Sequence, residues 1–278
     1  MTYVATQTQP TGNPGDRDRV IGASSWGDTP RMTAAQSLDL GSMRLLARDH
    51  EILRLVSRFG QLTTAQIDAL VFHELKSRSP CRVAIQRLVK HELLEPVAQR
   101  LPGGRLGGSA MNVLQLGREG WPLFFEGRRR FSRVIRAHSL AIADVFVETK
   151  KAERTGVLDV LDYATEPDSH IYVGGADLRP DLFLDIGLPQ KGERVAMWLE
   201  VDLGSERQKQ IIAKIEDYKL AYEHSDQYPL DVFPTCLFLA TEPERVRELR
   251  NMVKRVRGVP DGLIDVALIG EFPSILQR

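Results

Sequence analysis

Three carboxylates stand inside apolar runs, where an acid is costly unless it is used. Asp181 falls in Arg179-Pro180-Asp181-Leu182-Phe183-Leu184-Asp185, and Glu200 and Asp202 in Trp198-Leu199-Glu200-Val201-Asp202. Read as strands of one sheet, these runs put Asp181 and Glu200 on neighbouring strands. Carboxylates brought together in this way offer the oxygen ligands that Mg²⁺ takes, and the ion can activate water to attack a phosphodiester. Structural roles fit the same residues. Asp181 can cap a turn after Pro180, and Glu200 and Asp202 can pair with Arg179, Arg207 or Lys214.

A second set is basic. Arg78, Arg82, Gln86 and Lys90 recur every four residues and so follow one face of a helix. Arg and Gln read purine edges in the major groove, and a helix N-terminus favours phosphate. Ser79 and Arg87, on the same segment, complete the candidate DNA-binding set, with Arg100 and Arg105 at a hairpin tip that can touch the DNA backbone or minor groove. The alternative is a solvated basic face, or one that meets an acidic protein. The run Arg128-Arg129-Arg130 reads equally as a phosphate-contacting linker or a solvated turn.

The elements that must carry these residues follow from periodicity. Residues 42–59 have helical apolar spacing, stopped by Gly60. Thr63 and Gln66 form a capping box that opens a short helix to about Phe72. Ser79 as N-cap and Pro80 at the first turn start a third helix to about Glu92, with Val83, Ile85, Leu88 and Val89 buried. Strands at 94–101 and 110–116 flank a Gly-rich loop. That loop lacks a following Lys-Ser/Thr and joins two strands, so it is not a phosphate cradle. Three helices and a hairpin make a winged helix-turn-helix. Beyond it, a helix at 131–151 precedes strands at 157–163, 181–186, 195–201, 235–240 and 264–269, with helices at 206–223 and 243–257. The expected fold class is therefore α+β: an N-terminal winged helix-turn-helix, then an α/β domain. The divisions are 1–38, a disordered tail rich in Thr, Gln, Pro and Gly; 39–120, the winged helix; 121–136, a basic linker; and 137–278, the α/β domain.

Composition supports two unlike halves. The 278 residues carry no formal net charge, yet residues 31–136 hold 18 basic against 9 acidic side chains and residues 137–278 hold 17 against 25. Such asymmetry points the first half at a polyanion; mutual attraction of the halves is the competing explanation. No apolar run is long enough for a transmembrane helix, and no apolar leader opens the chain, so a cytoplasmic protein is expected. Cys81 and Cys236 lie far apart with no Cys or His company, which implies two reduced, buried thiols rather than a zinc site or a disulfide framework.

Pro180-Asp181 followed about twenty residues later by Glu200-Val201-Asp202 resembles the PD-(D/E)xK nuclease fold, a restriction-endonuclease-like architecture. Asp202 stands where the motif has lysine; Lys214 on the next helix is the candidate replacement, Lys209 a weaker one. The chain from about residue 40 resembles the replication-relaxation family of plasmid- and phage-associated proteins. The residues that carry this are Leu45-Leu46-Ala47-Arg48-Asp49, Arg87-Leu88-Val89, Leu116-Gly117-Arg118-Glu119-Gly120, His138 with Asp144, Pro180-Asp181, the run Glu200 to Glu206, and Lys214 with Tyr218. The resemblance implies a role in replication, relaxation or transfer of mobile elements. The expected protein is a DNA-binding regulator or replication accessory factor with a non-catalytic nuclease-like domain. It would bind double-stranded DNA as a homodimer, with a replication or transfer protein as a further partner, and need no cofactor to do so. The alternative is a Mg²⁺-dependent endonuclease using Asp181, Glu200, Asp202 and Lys214, with the metal on Asp181 and Glu200.

Overall fold

A computed structural model describes residues 45–97 and 112–277. The expected tail at 1–38, Arg100, Arg105 and the Gly-rich loop lie outside the described residues. The chain divides into two compact units between Lys151 and Ala152.

The first unit begins with helix α1 (Ala47–Phe59), whose Ile52, Leu53, Val56 and Phe59 form a buried stripe. Gly60 stops it at φ 72°, a left-handed backbone conformation that glycine adopts without the strain a side chain would bring. Strand β1 (Leu62–Thr63) leads into helix α2 (Thr64–Val71) through the expected capping box. The Thr63 hydroxyl accepts from the Gln66 N–H (3.1 Å) and the Gln66 side chain accepts from the Thr63 N–H (2.8 Å). Helix α3 (Ser79–Lys90) follows, then strands β2 (Leu94–Pro96) and β3 (Val113–Leu116). The sheet is antiparallel with β3 between β1 and β2.

Helix α4 (Ala137–Arg154) begins six residues later than its sequence pattern implies. Gln66 joins it to α2, donating to the Leu140 carbonyl (2.8 Å) and to Asp144 (2.7 Å), while Phe146 packs on Phe59 of α1. Residues 121–136, expected to be a linker, are instead fastened to the first unit. Arg129 pairs with Glu95, and buried Gln61 and Gln115 hydrogen-bond the backbone at 132–136.

The second unit is built on a five-stranded mixed sheet in the order β10-β9-β8-β7-β4. Its strands are β4 (Asp159–Thr165), β7 (Leu182–Leu188), β8 (Glu193–Asp202), β9 (Thr235–Ala240) and β10 (Ile264–Leu268). β4, β7 and β8 run antiparallel; β8, β9 and β10 run parallel. The parallel steps are crossed by α5 (Gln208–Glu223) and α6 (Pro243–Arg255), as parallel neighbours require. A hairpin the periodicity did not suggest, β5 (Ile171–Val173) with β6 (Ala176–Leu178), packs on α5, and a four-residue helix α7 (Phe272–Ile275) closes the described chain.

One face of this sheet presents Phe183, Trp198, Cys236 and Phe238 to Ile211, Ile215, Tyr218 and Ala221 of α5 and to Val246, Leu249 and Met252 of α6. Trp198 is fully buried between Tyr218, Tyr228 and Phe233. Strand side chains alternate, so Glu200 and Asp202 share this helix-covered face with Trp198. Cys81 and Cys236 are both buried and unbridged, and burial pushes the Cys81 thiol up to about 12.

Candidate functional site

Two groups of side chains can do chemistry, one in each unit. In the first unit the group lies on α3. Its buried side is Cys81, Ala84, Ile85 and Leu88. Arg82, Gln86 and Lys90 are exposed on the remaining surface, and Arg78, at the N-cap, is almost fully exposed, 3.7 Å from Asp68. The i, i+4 spacing thus places these four residues as expected. Ser79 is not the cap: the helix starts one residue earlier, Pro80 falls in its first turn, and the Ser77 hydroxyl accepts the Ser79 N–H (3.2 Å). Val83 is exposed rather than buried, because the core stripe of α3 runs along 81, 84, 85 and 88.

Arg87 departs from the DNA-binding set. It sits about 100° round the helix from Gln86, and its guanidinium turns inward. Its Nη2 lies 2.6 Å from both oxygens of Asp49, a fully buried carboxylate that also accepts the Leu46 N–H (2.8 Å). Arg87 therefore locks α3 to the start of α1. Two of the motifs singled out in the sequence, one around Asp49 and one around Arg87, are the two halves of this bond.

In the second unit the three carboxylates gather at one end of β7 and β8. The ladder pairs Leu182 with Leu199 and Phe183 with Trp198, and one further step sets Asp181 beside Glu200. Asp181 accepts the Val201 N–H (2.7 Å), tying the entry of β7 to β8. Glu200 is 3% exposed. One of its oxygens accepts the Tyr218 hydroxyl (2.6 Å) and the other accepts Lys214 Nζ (2.7 Å), both donors coming from adjacent turns of α5. Lys214 also reaches Glu206 (3.0 Å). Asp202 accepts the Gly204 N–H and two guanidinium nitrogens of Arg245 on α6 (2.9 and 3.2 Å).

The electrostatics follow from this packing. Burial pushes the Glu200 carboxyl up to about 7; Lys214 pulls against that shift, and the Asp181 charge adds to it. Burial works against the Lys214 ammonium, but Glu200 and Glu206 outweigh it and raise its pKa. Tyr218 is raised by burial first, then by Glu200. Among the described residues, no group of three or more His, Cys, Asp or Glu side chains is placed to hold a metal ion.

A family model described as replication-relaxation matches residues 53–235, well over half of the chain. The chain belongs to the replication-relaxation family. No curated protein and no solved structure gives a significant match. Family membership associates the chain with replication or relaxation of plasmids and other mobile elements. The replication-relaxation match spans α3, Asp181, Glu200, Asp202 and Lys214, and leaves Asp49 and Arg245 outside it. Among the described residues, no helix is long and apolar enough to cross a membrane.

Of the three cations that the sequence offers as partners for Glu200 and Asp202, Lys214 meets Glu200. Asp202 pairs with Arg245, which is not among those three. Arg179 in fact pairs with Asp177. The missed residue lies 43 positions from Asp202, so nothing local in the sequence signals the pair.

Proposed function

We propose that this replication-relaxation protein is a double-stranded-DNA-binding regulator or replication accessory factor of a mobile element. The first unit acts as a winged helix, and the nuclease-like second unit serves contact rather than cleavage. The observation that carries this reading is the exposed Arg82-Gln86-Lys90 face of α3, with Arg78 at its N-cap, opposite the buried side of the same helix. Phosphate contacts from such a face make affinity fall steeply with salt. Wild-type protein is expected to shift duplex DNA in a gel at about 50 mM salt and to lose it progressively toward about 200 mM. No shift at the lower salt overturns the proposal. Winged-helix proteins commonly meet two-fold sites as dimers, so a homodimer on the DNA, with a replication or transfer protein as a further partner, belongs to the same reading.

The non-catalytic part rests on the state of the carboxylates. Mg²⁺ keeps several of its waters and needs room for them. Glu200 is buried with both oxygens taken by Tyr218 and Lys214, and Asp202, standing at the motif's lysine position, is held by Arg245. This donor set fits a hydrated Mg²⁺ poorly. One observation favours the endonuclease alternative: Lys214 lies 2.7 Å from Glu200, where a lysine moved onto α5 could replace the motif's own. Supercoiled plasmid incubated with protein and Mg²⁺ or Mn²⁺ is expected to stay intact. Nicking that Glu200→Ala abolishes would replace the non-catalytic reading with the enzymatic one.

A further inference from the structure

Residues 128–136 form a strap held against the first unit by its backbone. Gln115 of β3, 4% exposed, brackets Ser132, donating to its carbonyl (2.9 Å) and accepting its N–H (3.0 Å). Fully buried Gln61 does the same one step on, donating to the Val134 carbonyl (3.1 Å) and accepting the Arg136 N–H (2.8 Å). Arg129 fastens the other end, with Nη2 2.6 Å from Glu95 and 3.1 Å from the Leu116 carbonyl. Buried amides satisfied by backbone groups specify the path of the strap. β2 and β3, which supply Glu95 and Gln115, are the strands on either side of residues 97–112.

With its backbone turned inward, the strap presents side chains outward. Arg128, Arg130, Phe131, Arg133 and Val134 are all exposed, and Arg128, Arg130 and Arg133 pair with no acid among the described residues. Arg129 differs: Glu95 neutralises it, and its guanidinium lies 5.2 Å from the Phe131 ring centroid. Three unpaired guanidiniums within six residues, on a backbone fixed by two buried glutamines, make a preorganised cationic strip. Its complement is a regular anion such as the DNA backbone.

We propose that this strap is a second DNA-phosphate contact, with Arg128, Arg130 and Arg133 each meeting the backbone of the duplex bound by α3. The inference rests on the DNA-binding reading and extends its footprint. Phosphate contacts carry no sequence information, so the strap sets affinity and salt dependence and leaves base preference to α3.

The test is a salt titration of duplex binding by full-length protein, comparing wild type with the triple variant Arg128→Gln/Arg130→Gln/Arg133→Gln. Losing three phosphate contacts is expected to flatten the slope of log affinity against log salt by about 3, so that between about 50 and 200 mM salt the wild type loses roughly 40-fold more affinity than the variant. The corresponding triple lysine variant keeps the charges and is expected to restore the wild-type slope, which a merely structural role would not require. An unchanged slope and affinity in the glutamine variant, with binding still lost in Arg82→Ala/Lys90→Ala, overturns the strap contact alone. A wild type that binds no duplex overturns both proposals.

Discussion

Arg87→Ala is expected to destabilise the first unit by about 3 kcal/mol without weakening DNA binding by the folded protein. The substitution leaves the Asp49 carboxylate fully buried with the Leu46 N–H as its remaining donor. Removing one member of a buried ion pair costs about 3–5 kcal/mol, and the lower end applies because Arg87 is 34% exposed and water can enter its place. In thermal unfolding this corresponds to a drop of roughly 10 °C for a unit of this size. The double variant Asp49→Asn/Arg87→Met is expected to recover most of the loss, because it removes the uncompensated charge and keeps an acceptor for Leu46. A stable Arg87→Ala protein that has lost DNA affinity would return Arg87 to the DNA-contacting set.

The second large effect is a pH dependence in the second unit. Folding raises the Glu200 carboxyl from 4.5 to about 7, through burial that Lys214 offsets only in part. An acid raised in this way binds its proton more tightly in the folded state. Its contribution to stability is complete below its ordinary value and is lost as pH climbs through about 7. The loss amounts to about 3 kcal/mol between pH 4.5 and 7. Lys214, raised by its carboxylate partners, stays protonated across that window and contributes a constant. Glu200→Gln keeps an acceptor for Tyr218 and removes the titration, so its stability relative to wild type should rise with pH by about 3 kcal/mol. Lys214→Met should do the opposite at pH 8, leaving Glu200 buried without its cation, and Glu200→Gln in the same chain should relieve it. Urea unfolding at several pH values checks both; a stability difference between Glu200→Gln and wild type that is flat from pH 4.5 to 8 contradicts the assignment.

What could be read from the residues depended on how local the determining contact is. The capping box at Thr63 and Gln66 closes over three residues, and it was legible to the atom pair. The five strands of the second unit and the helices crossing them announced themselves as apolar runs long enough to average over errors. The α3 face was legible because i, i+4 spacing alone sets it. Val83 was misplaced because several faces of a short helix carry apolar residues, and only packing shows which is covered. The β5–β6 hairpin was missed although Gly174-Gly175, both at positive φ, mark its turn; its three-residue strands are too short to show a period. Gln61, Gln115 and Arg87 look like surface residues by type. Each is explained only by a partner distant in sequence: a strap backbone 17 to 75 residues away for the glutamines, and Asp49 for Arg87. Polar residues whose function is to satisfy a distant buried group leave no periodic trace.

The central claim is that α3 carries DNA through its exposed face and that this face contributes nothing to the core. It is tested most directly by titrating a fluorescently labelled duplex with wild type and with Arg82→Ala/Lys90→Ala, following anisotropy, alongside the thermal midpoint of each protein. Two lost contacts at about 1–3 kcal/mol each predict binding weakened about 30-fold or more. The midpoint should hardly move, because exposed substitutions of this kind change stability by about 0.5 kcal/mol at most. Equal affinity of the two proteins, or a loss of affinity that only accompanies unfolding, would contradict the account.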